Sequence, residues 1–465
     1  MRISHLFILL AASAMLTACD FLDEYNPNSV TVGNYYTSEE DIVASLNGVY
    51  TSLTQSYVAD NYHYFTDVRA NATVVTNSGA NSGIPYQFYN YTLTEENVYV
   101  YNRYSQLYKI ISRANTLFAH LGDVSYATPS ARDTYEAEAR FLRAYFYFEL
   151  VKRYGGVPII GEKVYELNEN IELPRSTFEQ CIKYIVSELD DIKDDLRSLP
   201  LPDAAASAHV VNTQAAQALK IRVLLYAASP LFNEKPIESG NELIGYASYD
   251  RERWKIAADA ARNFINTYGT GDGAIMGLDD NFKNVFTNWY SNEHKEVIFF
   301  RENAMDKTVE TANGPLGLSG AKQGNGRTNP TQNLVDAFLM KDGHFINDKG
   351  KYEYNEQLPY AQRDPRLEYT IIHNGSSWVN STMETWQGGA NNPLGSSYSL
   401  TSYYMRKFMG DFEAANEYQD TQHNWVMFRY AEILLNFAEA ENEYLSTPSQ
   451  AVYCLLYTSP SPRDT

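Results

Sequence analysis

A helix that is apolar on more than one side places the strongest limit on how this chain folds. After Thr128-Pro129, large side chains follow one another so closely that they cover most of the circumference of a predicted helix. Gly155-Gly156-Val157-Pro158 ends it, because proline cannot continue a helix. A helix of this kind needs packing partners on several sides, so the sequence predicts layers of helices. The large side chains are Phe141, Leu142, Tyr145, Phe146, Phe148 and Leu150.

Six further segments show apolar residues at helical spacing, with capping and stop signals around them. Thr37 with Glu40 and Ser176 with Glu179 have the spacing of capping boxes, and Asn212 is a predicted N-cap. Pairs of helices of this size resemble tetratricopeptide-type hairpins, although the strict repeat is absent. The helices are predicted at about 37–53, 102–121, 176–199, 213–229, 250–268 and 426–444.

The region from 271 to 422 differs in composition, since glycine, asparagine and tyrosine dominate it. Short strands are predicted at 297–300 and 369–372. The sequence therefore predicts a mostly α fold, in which a helical scaffold at about 37–270 and 423–453 carries a large, irregular, loop-rich insert with a few short strands. Long loops on a rigid support are a common place for a binding surface.

The N-terminus carries the pattern of a bacterial lipoprotein signal. A short apolar stretch ends in Leu16-Thr17-Ala18-Cys19, and it is shorter than the roughly 20 residues that a membrane-spanning helix needs. We expect residues 1–18 to be removed, Cys19 to become the lipidated first residue, and residues 19–36 to form a tether. The alternative is an ordinary secretory signal in which the cysteine is incidental.

Composition excludes several classes of function. The net charge of −20 argues against binding to nucleic acid or to anionic lipid, both of which need clustered lysine and arginine. Three cysteines, one of them Cys19, cannot supply a disulfide framework or a thiolate metal site. The chain holds 38 tyrosines against 37 lysines and arginines, and tyrosine suits both sugar and peptide ligands.

Several stretches in this order resemble the SusD/RagB family, the nutrient-binding outer-membrane lipoproteins of Bacteroidetes-type bacteria. The resemblance covers the chain from Cys19 to about Tyr453. The stretches that carry it are Cys19-Asp20-Phe21-Leu22-Asp23, Glu138-Ala139-Arg140-Phe141-Leu142-Arg143-Ala144-Tyr145, Arg153-Tyr154-Gly155-Gly156-Val157-Pro158, Ala227-Ala228-Ser229-Pro230-Leu231-Phe232, Arg363-Asp364-Pro365-Arg366 and Arg429-Tyr430-Ala431-Glu432-Ile433-Leu434-Leu435.

The resemblance implies a tetratricopeptide-like fold, a lipid-anchored position on the cell surface and a TonB-dependent barrel of the SusC type as partner. It also implies that the arginine-rich helix is framework, with paired charges between helices. The ligand would be an oligosaccharide or a peptide, bound by loop side chains, with aromatic rings stacking on sugar faces. The candidate ligand-binding residues are Arg69, Asn71, Tyr86, Tyr89, Trp289, Tyr290, Trp378 and Trp386.

Signatures of enzymes are missing. The sequence contains no H-E-x-x-H, no phosphate-binding loop and no G-x-S-x-G motif, so we expect no catalytic residues, no metal site and no cofactor. Asp279, Asp280 and Glu413 leave a glycosidase open, because sequence does not show whether two carboxylates converge. A structural or adhesive surface lipoprotein is a further alternative.

The end of the chain departs from the family pattern. Residues 454–465 replace the expected continuation of a helix, and Pro460 and Pro462 prevent a helix there. The segment is similar to translated sequencing adapter, so we expect it to be foreign and the last helix of the family pattern to be missing. A natural disordered tail is the alternative.

Overall fold

A computed structural model describes the chain over residues 35–53, 73–75, 92, 94, 96, 98–165, 169–200, 209–287, 295–394, 399–445 and 447–452. Cys19, the tether as far as residue 34, and residues 454–465 lie outside the described residues.

Within these ranges, seven long helices carry most of the core. Each helix packs against the next one along the chain, and α5, α6 and α7 also pack together as a group. This arrangement of successive helix pairs, with few and short strands, confirms the predicted fold class. The helices are α1 (Glu39–Tyr50), α2 (Val98–His120), α3 (Ala131–Tyr154), α4 (Phe178–Ile192), α5 (Thr213–Ala228), α6 (Glu252–Tyr268) and α7 (Tyr430–Leu445).

The helix α3 is buried along most of its length, as its apolar circumference requires, and its charges tie three helices together. Arg143 donates to Glu188 on α4 at 2.7 Å and to Asn115 on α2 at 3.0 Å. Arg140 also donates to Glu188, at 2.9 Å. The paired charges between helices that the sequence predicts are therefore confirmed. Glu188 on α4 accepts from both arginines.

Two predicted capping boxes lie one residue too early. The boxes that form are Ser38 with Asp41 at α1 and Thr177 with Gln180 at α4. In both places the chain offers the same side-chain spacing in two adjacent registers, so spacing alone does not decide between them. The third prediction is confirmed, because the Asn212 side chain accepts from the backbone N–H of Ala215 at 2.8 Å.

The predicted helix at 426–444 is wrong at its beginning. Residues Trp425–Arg429 form strand β8, which pairs antiparallel with β2 (Val297–Arg301), and α7 begins only at Tyr430. Phe299 and Phe428 stack between the two strands, with ring centroids 6.2 Å apart. A short apolar run fits both the helical and the extended period, so the partner strand determines the outcome.

Three further two-stranded sheets support the loops. Of the predicted strand at 369–372, only residues 371 and 372 are extended, because Arg366–Thr370 forms a short helix whose first N–H donates to Asp364 at 2.9 Å. Strands β1 and β8 lie outside the loop-rich region, so the expectation that the strands are confined to it is wrong. The pairs are β1 (Thr73–Val75) with β3 (Thr328–Pro330), β4 (Ile371–Ile372) with β7 (Tyr404–Met405), and β5 (Ser377–Trp378) with β6 (Ser381–Thr382).

Candidate ligand-binding site

The loop that carries Trp386 is closed by its own backbone hydrogen bonds. Asn391 donates to the carbonyl of Glu384 at 3.0 Å, and Gly389 donates to the carbonyl of Trp386 at 2.8 Å. Gly388 donates to the carbonyl of Asn392 at 2.9 Å and has a φ of 94°, which only glycine adopts readily. The loop therefore presents Trp386 from a fixed backbone.

One side of the indole lies against glycine. A Cβ atom on Gly389 would lie 3.0 Å from the Cε2 and Nε1 atoms of Trp386 and only 2.5 Å from the carbonyl oxygen of Glu384. Trp386 nevertheless remains 54% exposed. The ring is thus supported from one side by backbone and open to solvent over more than half of its surface.

Leu394 extends this exposed surface. It is 74% exposed. A Cβ atom added to Gly388 would lie 3.9 Å from the Cγ atom of Leu394 and 3.4 Å from the Cζ3 atom of Trp386. Trp386 and Leu394 therefore flank Gly388 and form a small apolar platform, called the Trp386 platform below. Flat apolar surfaces of this kind bind the C–H face of a sugar ring or another ring by stacking.

Two buried asparagines hold the platform loop to strand β3. The side chain of Asn392 accepts from the N–H of Ser399 at 2.9 Å and donates to the carbonyl of Thr385 at 3.1 Å. The side chain of Asn329 in β3 accepts from the N–H of Leu400, the residue after Ser399, at 3.3 Å. Residues 399 and 400 therefore link the two asparagines, and with them the platform loop and β3.

Strand β3 also links the platform loop to an N-terminal strand of the chain. It pairs with β1, in the register Thr73 opposite Pro330 and Val75 opposite Thr328. Asn71, one of the predicted ligand-binding residues, precedes β1 by two positions in the chain. The sheet thus connects the described strand nearest to Asn71 with the Trp386 platform.

Trp378 does not belong to an exposed site, and its prediction as a ligand-binding residue is wrong. It is 1% exposed, its indole N–H donates to the Tyr418 hydroxyl at 2.9 Å, and its ring meets Phe412 edge-on with centroids 6.2 Å apart. Strand β5 turns Ser377 outward and Trp378 inward, as the alternation of a strand requires. Trp378 is instead a core residue of the loop-rich region.

The other predicted ligand-binding residues lie outside the described part of the chain. Along the chain, the described segment nearest to Trp289 is the short helix Asn284–Thr287. In this helix Phe286 packs on Phe408, with ring centroids 4.9 Å apart. The Lys407 ammonium lies 4.7 Å from the centroid of the Phe286 ring. The residues outside the description are Arg69, Asn71, Tyr86, Tyr89, Trp289 and Tyr290.

Two of the carboxylates considered for hydrolysis have structural partners. Asp279 accepts from the backbone N–H of Asn281 at 2.8 Å, and Glu413 accepts from Arg406 at 2.8 Å. Among the described residues, no group of three or more His, Cys, Asp or Glu side chains is placed to hold a metal ion. The same part of the chain contains no helix that is both long and apolar enough to cross a membrane.

Sequence reasoning selected Trp386 but missed the residues that make it a platform. Gly388, Gly389 and Leu394 follow it closely, and the signal was present as an aromatic residue followed by two glycines. Asn392 and Asn329 could not be found from sequence, because asparagine is common throughout this region and their partners come from distant positions.

Two family models match the chain in succession. One, described as "Starch-binding associating with outer membrane", matches residues 20–225, and the other, described as the SusD family, matches residues 295–456. SusD-like protein P2 of Formosa agariphila is 23% identical in an alignment that covers 97% of this chain and 79% of P2. SusD-like protein P38 of the same organism is 25% identical over 196 residues, which are 42% of this chain and only 38% of P38.

The fold is also similar to that of a solved structure. Surface glycan-binding protein A from Bacteroides thetaiotaomicron, in complex with laminarihexaose, matches with a TM-score of 0.62 and 16% identity. The match covers 92% of this chain and 84% of that protein. A likeness at this level of identity concerns the fold.

Proposed function

The chain belongs to the SusD family, and from this we propose that it is a non-catalytic binding protein that captures an oligosaccharide at the outer membrane. In this proposal it delivers the ligand to a TonB-dependent transporter of the SusC type. One of the matching family models is described as starch-binding, and the solved relative binds a laminarin hexasaccharide. Both support a glycan ligand over a peptide.

The Trp386 platform is the observation that carries the proposal. A pyranose ring has one or both faces lined by C–H groups, and such a face stacks on an indole that is flat, exposed and already held in place. Because the loop is fixed by hydrogen bonds and by the two asparagines, little conformational entropy is lost when the ligand binds. A platform of this type binds sugar without changing it chemically.

The proposal assigns no catalytic role to the acidic residues. Hydrolysis of a glycoside needs two carboxylates that face each other across the bond, about 5 to 10 Å apart, with one of them able to donate a proton. Asp279 instead accepts from the backbone N–H of Asn281, two residues further along, and Glu413 is the partner of Arg406. We therefore place Asp279 and Glu413 in the framework.

Attachment to the membrane is assigned to lipid on Cys19. The net charge of −20 disfavours electrostatic attachment to an anionic membrane surface, so a covalent lipid is the anchor that fits the composition. The acidic residues Asp23 and Glu24, four and five positions after Cys19, fit a signal for export to the cell surface. Residues 19–36 would then give the domain reach above the membrane.

The experiment that tests the proposal is retention of the mature protein, from Asp20 onward, on a panel of polysaccharides, with analysis of the liquid phase for shortened products. Retention by at least one glycan without product is the expected result. Product formation would support a glycosidase instead. Retention by peptides alone would support the peptide-binding alternative, and no retention by either class would favour the adhesive one.

A further inference from the structure

A cleft lies in the helical scaffold, apart from the Trp386 platform. It has a volume of about 430 Å³ and is formed by α1, the beginning of α3, the segment around Val210 and the end of β2. Pockets that bind small molecules usually enclose about 300 to 1,000 Å³, so the cleft is of sufficient size. No residue of the Trp386 platform lines it, and the proposed function assigns it no role.

The floor of the cleft is a fixed network of polar groups. Glu138, which is 3% exposed, accepts from the Tyr50 hydroxyl at 2.7 Å and from the guanidinium of Arg197. The Tyr50 hydroxyl in turn accepts from the backbone N–H of Val211 at 2.9 Å. These bonds fix the buried carboxylate of Glu138, which in turn holds the Nη1 atom of Arg197.

Several hydrogen-bonding groups in the cleft have no partner within the described residues. The guanidinium of Arg197 has five N–H donors, and only Nη1 makes a hydrogen bond there. The side-chain amide of Asn47, which also lines the cleft, makes no hydrogen bond with the described residues. The Nδ1 atom of His209 is buried without a partner, which leaves Nε2 as the ring nitrogen that can bind a ligand.

Part of the lining is apolar, and the charges around the cleft balance. Val43, Leu46 and Leu53 supply aliphatic surface, while Arg197 and Arg301 are offset by Glu138 and Glu302. A ligand is therefore selected here by hydrogen-bond geometry and by an apolar face, and not by an excess of positive charge.

We propose that this cleft binds a small carboxylate-bearing molecule with an apolar face, such as a uronic acid. The free edge of the Arg197 guanidinium offers two parallel N–H groups, the geometry that a carboxylate accepts best. His209 and Asn47 bond the remaining oxygens, and the ring packs on Leu46. The site is separate from the Trp386 platform, so its failure would leave the proposed function standing.

A matched pair of ligands tests the proposal. Glucuronate and glucose differ only at C6, where one has a carboxylate and the other a hydroxymethyl group. Calorimetric titration of the mature protein should show saturable binding of glucuronate and binding of glucose at least about tenfold weaker, since charge-assisted hydrogen bonds are the difference. Equal affinities for the two sugars, or no binding of glucuronate, would overturn the proposal.

Two variants locate the binding. Arg197→Lys keeps a positive partner for Glu138 but removes the guanidinium fork, and Asn47→Trp fills the cleft from an exposed position of α1. Each should weaken glucuronate binding by about tenfold or more while a thermal melt shows an intact fold.

Arg132→Lys, which makes the same change at an exposed arginine of α3 that does not line the cleft, is the matched control, and it should bind glucuronate like the wild type. Loss of glucuronate binding in Trp386→Ala with no change in the two cleft variants would assign the carboxylate to the platform and contradict the proposal.

Discussion

Replacing Trp378 with alanine should lower stability strongly. Its side chain is 1% exposed and packs against Phe412, so its removal leaves a cavity in the core of the loop-rich region. The change also deprives the Tyr418 hydroxyl of the indole N–H that donates to it at 2.9 Å, and removes the ring that lies 5.6 Å from the Arg406 guanidinium.

The expected cost follows from comparable changes. Truncation of a buried Trp or Phe to alanine costs about 3 to 5 kcal/mol, and loss of a neutral hydrogen bond contributes about 1 kcal/mol of this. Taking about 4 kcal/mol, and roughly 2 °C per kcal/mol for a domain larger than 150 residues, the melting temperature should fall by about 8 °C. Thermal unfolding followed by circular dichroism gives this value.

Trp386→Ala is the matched control for this experiment, because it removes the same side chain from an exposed position. Its melting temperature should stay within about 2 °C of the wild type, as is usual for surface substitutions. A Trp378→Ala protein that melts like the wild type, or a Trp386→Ala protein that is the less stable of the two, would refute the assignment of the two tryptophans to core and surface.

Three further outcomes are expected. Cys19→Ala should abolish incorporation of radiolabelled palmitate, and label that still enters the mutant would contradict lipidation at Cys19. Ending the chain after Tyr453 should leave the melting temperature unchanged, whereas a fall of several degrees would show that the tail packs in the native core. Burial alone would raise the pKa of Glu149, but its ion pairs with Lys152 and Arg153 lower that pKa to about 2. These ion pairs therefore stabilise the fold above the unfolded pKa of about 4.3, and their contribution is lost as the pH falls toward 2. Glu149→Gln should therefore cost about 2 kcal/mol in urea unfolding at pH 7 and much less at pH 3, and an equal cost at both would contradict this.

The helical scaffold was accessible from sequence because each helix repeats its apolar residues at a fixed spacing. Trp254 is an example, since it lies at helical spacing with Ala257 and Ala261 and is 3% exposed in α6. The errors occurred where two registers or two periods fit the same residues, as at the caps of α1 and α4 and at the start of α7.

The candidate site was accessible only in part, because loops have no periodicity that separates buried from exposed residues. Trp378 and Trp386 lie eight positions apart in a region of similar composition, yet one is buried and the other is not. The burial of Trp378 depends on Tyr418, which is 40 residues further along the chain. A contact at such a distance leaves no local pattern in the sequence.

The affinity of Trp386→Ala for a retained glycan tests the central claim most directly. Calorimetric titration of the wild type and the variant with the glycan identified by the polysaccharide panel gives the two dissociation constants. The account predicts a loss of about 1 to 3 kcal/mol, the range found when aromatic stacking platforms are removed, with the fold intact. Unchanged affinity, with the wild type binding well, would contradict the assignment of the Trp386 platform as the glycan-binding surface.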